Sequence, residues 1–154
     1  MITSSGTSAS KYIVLTDNDN LERTLFRIIV NRLDPPVKFA EYQSGQELCA
    51  MLKASETLPD IVFLDVDMPG KNGIDCLIEI RSDERLSTLP VIMYSGNSDQ
   101  RTIDAAYYNG ANHYFIKPGD STQLLAQLTW LIHKHHITGK HKRQTFVIDS
   151  HTEF

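Results

Sequence analysis

Four residues that could do chemistry each follow a short apolar run of the sequence: Asp17, Asp65, Ser95 and Lys117. Two carboxylates about 4 Å apart repel by about 4 kcal/mol at an effective dielectric constant of 20, so a cation is needed between them. Mg²⁺ is the natural ion, because it accepts one or two carboxylates and keeps water and phosphate oxygens at its other positions. A lysine supplies a fixed positive charge and a serine a hydroxyl donor, and both suit the oxygens of a phosphoryl group. These residue types indicate phosphoryl transfer to a carboxylate.

Asp65 is the strongest candidate because of its place in the chain. It directly follows the apolar run Ile61 to Leu64 and begins a segment that contains Pro69 and Gly70. A short β-prone run that proline and glycine terminate is typical of a buried strand that leads into a loop. In open α/β sheets, ligands bind outside the carboxyl ends of the strands. Position therefore makes Asp65 a candidate nucleophile, although most acids at strand ends are turn formers or helix caps.

Five β-prone runs alternate with stretches of helical period, and this alternation predicts the fold. The predicted strands are residues 12–16, 37–42, 61–64, 91–94 and 113–116. The predicted helices are residues 21–33, a helix that Ser44 starts, residues 73–81, a helix from Ser98 or Asp99 to Asn109, and one from Ser121 or Thr122 to about residue 133. Repeated βα units with short links predict an α/β fold with a parallel sheet covered by helices on both faces. Parallel strands end on the same side, so the four candidate residues should converge.

The apolar residues of the first helix predict which of its faces is buried. Leu21, Leu25, Ile28 and Ile29 share one face of the first helix. Cys49 and Cys76 are far apart in sequence, inside different helices, and match no metal-binding or redox motif. We expect both cysteines to be reduced core thiols.

The composition of the chain limits the classes of protein to which it can belong. The chain has 154 residues, of which 41% are hydrophobic and 22% charged, which suits one globular domain. A net charge of −4 provides no basic surface, so direct binding to nucleic acid is not expected. There is no signal peptide and no run of ~20 apolar residues, so we expect a cytoplasmic protein with no membrane attachment.

We place the domain at residues 11–137, between a disordered N-terminal segment, residues 1–10, and a C-terminal tail, residues 138–154. The tail has no helical or strand period long enough to predict an element. The basic, histidine-bearing residues 133–143 are explained most simply as a solvated helix end near its own dipole.

Several motifs occur in an order that is specific to one family. They are Asp17 after a hydrophobic strand, Asp65 followed by Met68-Pro69 and Gly73, Ser95-Gly96 after the run Pro90 to Met93, and Lys117-Pro118. Over residues 11–137 the sequence resembles the receiver domain of bacterial two-component response regulators. The resemblance implies a flavodoxin-like receiver fold, a doubly wound five-stranded parallel sheet in the order 2-1-3-4-5. It also implies a single-domain signalling protein and not an enzyme that turns over substrate.

The resemblance further implies the roles of the site residues. Asp65 accepts phosphate from the phosphohistidine of a sensor histidine kinase or of a histidine phosphotransfer protein, and Lys117 pairs with the phosphoryl group. Mg²⁺ is held by Asp17, Asn18, Asp65 and the backbone carbonyl of Asp67. The Lys117–Pro118 bond is expected to be cis, a minority state for such bonds.

The same resemblance implies a switch. Ser95 moves toward the phosphoryl group and Tyr114, three residues before the lysine, rotates inward behind it. The face formed by the fourth helix, fifth strand and fifth helix is then the readout surface. Asp67 and Asn97 match positions that influence the lifetime of the phosphoryl group. With no DNA-binding domain after the receiver, output is expected to pass to an unknown downstream protein by contact.

Two positions depart from the family pattern. Asn18 stands where the family usually has a second acid, and a neutral ligand should weaken binding of Mg²⁺. Gly119 stands where a bulky apolar residue commonly follows the Lys-Pro pair.

Three alternatives remain open. The segment Asp65-Val66-Asp67 also resembles the nucleophile motif of haloacid-dehalogenase-type phosphatases, but two βα units precede it here, whereas that family places the nucleophile after an early strand. A flavodoxin-type flavin module would bring its phosphate against the acidic turn at Asp17 and Asp19. A pseudo-receiver that binds partners without phosphorylation keeps the fold and removes the chemistry, and Asn18 gives it some support.

Overall fold

The computed structural model describes residues 10–137 and 142–153 of the 154-residue chain. The strands are β1 (Tyr12–Thr16), β2 (Lys38–Tyr42), β3 (Ile61–Leu64), β4 (Val91–Ser95), β5 (His113–Ile116) and β6 (Val147–Ile148). The helices are α1 (Asn20–Val30), α2 (Gly45–Ala54), α3 (Gly73–Ser82), α4 (Gln100–Tyr108), α5 (Ser121–Thr129) and α6 (Arg143–Phe146). A π-helical turn, Trp130–Lys134, continues α5. No helix among these residues has the length and apolar character needed to span a bilayer.

The six strands form one parallel sheet in the order β2-β1-β3-β4-β5-β6. The α/β fold and the order of the first five strands are confirmed, but the prediction of a five-stranded sheet was one strand short. The extra strand has two residues and follows a helix of four, so neither is long enough to show a period in the sequence. The predicted N-terminal segment falls almost entirely outside the described residues, as do residues 138–141 and 154 of the predicted tail.

The sheet carries a separate apolar core on each face. Alternate residues of a strand point to opposite faces, so Val14 and Leu64 join the core that α2, α3 and α4 cover. Ile13 and Phe63 join the other core, which α1 and α5 cover. Burial on both faces explains why β3 is a continuous apolar run, with all four of its residues buried.

The buried face of α1 differs from the predicted one. Ile29 is buried as expected, but Leu21, Leu25 and Ile28 are 65%, 49% and 44% exposed. The buried face is instead centred on Phe26, whose ring lies 5.3 Å from Phe63 and 5.2 Å from Tyr94. The helical period fits two overlapping apolar faces of α1 and does not show which of them is buried. The face with Phe26 is buried because its large aromatic ring removes the most apolar area from water.

The two cysteines are both buried and free, as expected of reduced core thiols, although they are far apart in sequence. They belong to one core cluster, because α2 and α3 pack side by side on the same face of the sheet. Hydrogen bonding from the Cys76 thiol lowers the pKa of Cys49. Gly45 permits this packing, since a Cβ there would lie 2.3 Å from the Cys76 sulfur.

Candidate functional site

The four residues that the sequence selected meet at the carboxyl edge of the sheet. Asp17, Asp65 and Lys117 directly follow β1, β3 and β5, and Ser95 ends β4. The backbone N–H of Asp65 donates to the carbonyl of Thr16, and that of Lys117 donates to the carbonyl of Ser95. These bonds extend the parallel pairing by one residue beyond the strands, which fixes where each side chain starts.

Lys117 lies at the centre of a group of carboxylates. Its Nζ donates to Oδ2 of Asp17 at 2.8 Å and lies 3.9 Å from Oδ1 of Asp65 and 3.8 Å from Oε2 of Glu22. The same ammonium stands 5.2 Å from the centre of the Tyr94 ring. Burial disfavours the ammonium, but its bond to Asp17 and the charge of Asp65 outweigh this and raise the pKa of Lys117. Lys117 is therefore a fixed positive charge beside Asp65.

Asp65 is nearly enclosed, and this changes its acidity. The residue is 5% exposed, and burial raises its pKa to about 7. The charge of Lys117 and a hydrogen bond from the backbone N–H of Asp67 act in the opposite direction, while Asp17 adds to the rise. The carboxylate is thus held close to its ionisation point at neutral pH, a property typical of functional acids.

The loop after Asp65 is held by its own backbone and by one glycine. The N–H groups of Met68 and Gly73 both donate to the carbonyl of Val66, at 3.2 and 2.9 Å. A Cβ on Gly73 would lie 2.2 Å from the carbonyl oxygen of Asp65. The start of α3 therefore packs directly on the backbone of Asp65, and glycine is required for that contact.

A chain of hydrogen bonds leads from the site to β5. The Ser95 hydroxyl lies 3.4 Å from Oδ2 of Asp67 and accepts a bond of 3.1 Å from the N–H of Asn97. The hydroxyl of Tyr114 donates to the carbonyl of Asn97 at 2.6 Å. Tyr114 is fully buried, which raises its pKa to about 12, so it remains a neutral donor. Its ring is in the inward position.

The predicted metal ligands line one open cavity of about 410 Å³. Asp17, Asn18, Asp65 and Asp67 share it with Ser95 and Lys117. Within residues 10–137 and 142–153, no three His, Cys, Asp or Glu side chains converge as a metal cluster. The oxygen-only set of two carboxylates, an amide and a backbone carbonyl still suits a hard cation that keeps several waters.

Two site residues were missed from the sequence. Glu22 reaches Lys117 from the first turn of α1, and Arg23 donates from Nη1 to the backbone carbonyl of Asp17 at 2.7 Å. Both lie on a charged helix start, and nothing in their spacing separates them from ordinary surface charges. Arg23 also pairs with Glu41 at 3.5 Å, so it ties the turn after β1 to β2.

The Lys117–Pro118 bond is trans, and the expectation of a cis bond was wrong. Within the described residues the cis bond is Asp34–Pro35. Trans is the more stable isomer of a bond before proline.

Three comparisons with known proteins concern the family and the fold of the chain. The family model for the response regulator receiver domain matches residues 13–129. The chemotaxis protein CheY-3 of Vibrio cholerae is 38% identical over 88 residues, which cover 57% of this chain and 66% of that protein, just under two thirds. The chemotaxis protein CheY of Listeria monocytogenes is 32% identical over 116 residues, covering 75% of this chain and 93% of that protein. The phosphorylated cyanobacterial phytochrome response regulator RcpA has a similar structure, with a TM-score of 0.74 and 26% identity over 80% of this chain and 91% of that one.

Proposed function

The chain belongs to the response regulator receiver domain family, and from this we propose that it is a cytoplasmic signalling protein that accepts a phosphoryl group on Asp65. The donor is the phosphohistidine of a sensor histidine kinase or of a histidine phosphotransfer protein, and the output passes to a downstream protein by contact. The observation that carries the proposal is the placement of Asp65 at the end of β3, 3.9 Å from Lys117 and open to one cavity with Ser95.

The reaction transfers the phosphoryl group from nitrogen to oxygen. A carboxylate oxygen of Asp65 forms the new O–P bond while the N–P bond of the phosphohistidine breaks, and the imidazole keeps the electron pair of the broken bond. Attack requires ionised Asp65, which a pKa of about 7 leaves available in part at neutral pH. Lys117 neutralises the charge of the phosphoryl oxygens, and the Ser95 hydroxyl is placed to donate to one of them.

Mg²⁺ fits the donor set of the cavity. Asp17, Asn18, Asp65 and the carbonyl of Asp67 are the residues that would hold it. When bound, the ion would shield the phosphoryl oxygens from the two carboxylates. We expect Asn18→Asp to raise the affinity for Mg²⁺ by up to about tenfold, because it adds one negative charge. Calorimetric titration measures this affinity. An unchanged affinity would remove Asn18 from the ligand set.

The donor protein needs a surface to dock on, and α1 offers one. Leu21, Leu25 and Ile28 are exposed on this helix, and Glu22 of the same helix lines both the Asp65 cavity and an adjacent one of about 530 Å³. Exposed apolar groups clustered beside a reactive residue are typical of a protein contact. In this proposal the phosphohistidine protein approaches Asp65 from this side.

A single substitution on α1 distinguishes docking of the donor protein from the phosphorylation reaction at Asp65. Leu25→Gln keeps a good helix former but removes apolar area, so phosphotransfer from a phosphorylated histidine phosphotransfer protein should slow by about tenfold. Labelling by acetyl phosphate, which needs no protein contact, should not change. Equal slowing with both donors would place the effect in the site and not on a docking surface.

The phosphoacceptor itself is tested by mass. Incubation with acetyl phosphate and Mg²⁺ should add ~80 Da to the intact chain, and Asp65→Asn should abolish the addition. Asp60→Asn is the matched control, because Asp60 flanks the opposite end of β3 and is exposed. Absence of any addition to the unsubstituted protein would contradict the proposal and favour a phosphorylation-independent receiver. Multiple turnover on phosphomonoesters would instead favour a phosphatase.

A further inference from the structure

The C-terminal segment, residues 142–153, covers the edge of the sheet next to the switch residue. Its strand β6 pairs in parallel with β5, with Val147 opposite Tyr114 and Ile148 opposite Phe115. The ring of Phe146 is fully buried and lies 5.1 Å from the ring of Tyr107 at the end of α4. The segment is therefore built into the core of the domain and closes the edge that β5 would otherwise present.

Polar contacts also fix the segment to α4, α5 and β5. Arg143 forms an ion pair with Asp104 of α4, and its guanidinium stands 5.2 Å from the Tyr107 ring centre. The carbonyls of Asp149 and Ser150 each accept a bond of 2.9 Å from the glutamines of α5, Gln127 and Gln123 respectively. The carbonyl of Phe146 lies 3.1 Å from Nδ1 of His113 in β5. The C-terminal segment therefore contacts α4, β5 and α5.

Phe146 and Tyr114 belong to one apolar cluster, and Val147, the residue after Phe146, is the strand partner of Tyr114. Tyr114 is held inward by its bond to the Asn97 carbonyl, with β4 on one side of its strand and β6 on the other. A ring turned away from Asn97 would swing toward the sheet edge, where Phe146 and Val147 now pack. Close-packed interiors have no spare room for both, so the outward ring and the docked segment exclude each other.

We propose that the C-terminal segment is an intramolecular latch that docks only when Tyr114 is inward. The inference rests on the proposed function, in which phosphorylation of Asp65 favours the inward ring through Ser95. Phosphorylation then tightens the latch, and the docked latch favours phosphorylation by the same factor, because coupling between two sites is reciprocal. The surface that the phosphorylated protein presents to its partner consequently includes the latch and not a bare β5 edge.

Hydrogen exchange of the full chain, followed by mass spectrometry, tests the first half of the coupling. In acetyl phosphate and Mg²⁺, amide exchange in the peptide that contains Val147 and Ile148 should slow by about fivefold or more. Unchanged or faster exchange, in a sample whose intact mass shows the ~80 Da addition, would overturn the latch and leave the proposed function standing. Absence of the addition would instead contradict the proposed function.

Substitutions in the C-terminal segment test whether the docked latch favours phosphorylation of Asp65. Phe146→Ala removes the buried ring, so at limiting acetyl phosphate the ratio of phosphorylated to unphosphorylated protein should fall by the factor measured in the exchange experiment. Arg143→Ala, which removes a surface ion pair without opening the core, should give a smaller fall in the same direction. Gln144→Ala is the matched control, because Gln144 lies in α6 with its side chain exposed. A phosphorylated fraction that is equal in all four proteins would overturn the coupling.

Discussion

At the scale of the residue, the ionisation of Asp65 is the property on which the chemistry depends. Enclosure at the strand end disfavours the carboxylate, and Lys117 only partly restores it, because that lysine bonds more closely to Asp17. The result is an acid with a pKa of about 7 in place of its ordinary 3.8. An acid poised in this way is partly ionised at neutral pH, and its ionised form destabilises the fold.

This leads to a prediction about stability and pH. The folded pKa lies above the ordinary value, so the stabilising contribution of protonated Asp65 is complete below about pH 4 and is lost as the pH rises through about 7. Asp65→Asn has no charge to lose. We compare the free energy of unfolding in urea of Asp65→Asn with that of the unsubstituted protein. The difference in favour of Asp65→Asn should grow by about 2–3 kcal/mol as the pH rises from about 5 to about 8.

Asp60→Asn provides the reference for this experiment, because it changes an exposed acid at the other end of the same strand. A constant stability difference between Asp65→Asn and the unsubstituted protein across that range would show that Asp65 is ionised at all of these pH values.

At the scale of the element, the position of Asp65 depends on how α3 begins. Asn72 caps the helix by accepting from the N–H of Asp75 at 2.9 Å, and Gly73 packs on the Asp65 carbonyl. The start of α3 and the backbone of Asp65 therefore move together. A side chain at Gly73 must displace one of them.

We accordingly expect Gly73→Ala to lower the free energy of unfolding by about 1–3 kcal/mol and to reduce labelling of Asp65 by acetyl phosphate. The added Cβ would lie 2.2 Å from the Asp65 oxygen and 2.8 Å from the Val66 Cα, and backbone atoms cannot yield as a flexible side chain can. Urea unfolding and intact mass provide the two measurements.

Gly119→Ala is the matched control, because a Cβ there meets no atom within 4 Å. It should leave stability within about 0.5 kcal/mol and labelling unchanged. Equal losses in the two variants would mean that the contact with the Asp65 carbonyl is not what makes Gly73 necessary.

At the scale of the whole molecule, the half of the sheet that carries Ser95 and Lys117 is tied to α3 by Arg81. Its guanidinium donates to the carbonyls of Gly110 and Leu89, both at 2.8 Å, and to Oδ1 of Asn112 at 3.0 Å. Those acceptors lie in the segments that lead into β4 and β5. The Arg81 side chain thus fixes the segments that precede β4 and β5, the strands that carry Ser95 and Lys117.

Arg81→Met keeps much of the apolar stem and removes three hydrogen bonds, so we expect a loss of about 2–4 kcal/mol in the free energy of unfolding. Arg101→Met, an exposed arginine of α4, should change it by less than about 0.5 kcal/mol. Chemical denaturation of both variants measures the difference. A loss below about 1 kcal/mol for Arg81→Met would contradict the bridging role.

The sequence by itself determined the strands whose ends carry Asp17, Asp65, Ser95 and Lys117, because apolar runs with prolines and glycines at their ends are signals only a few residues long. The order of the first five strands came from the resemblance of its short motifs to the receiver family. The tertiary structure alone decided that Leu25 is exposed, that the two cysteines belong to one core cluster, and that Phe146 joins the same apolar cluster as Tyr114. These facts depend on contacts between residues far apart in the chain, such as the bond from Lys117 to Asp17 across 100 positions, and no local pattern encodes which apolar surfaces meet.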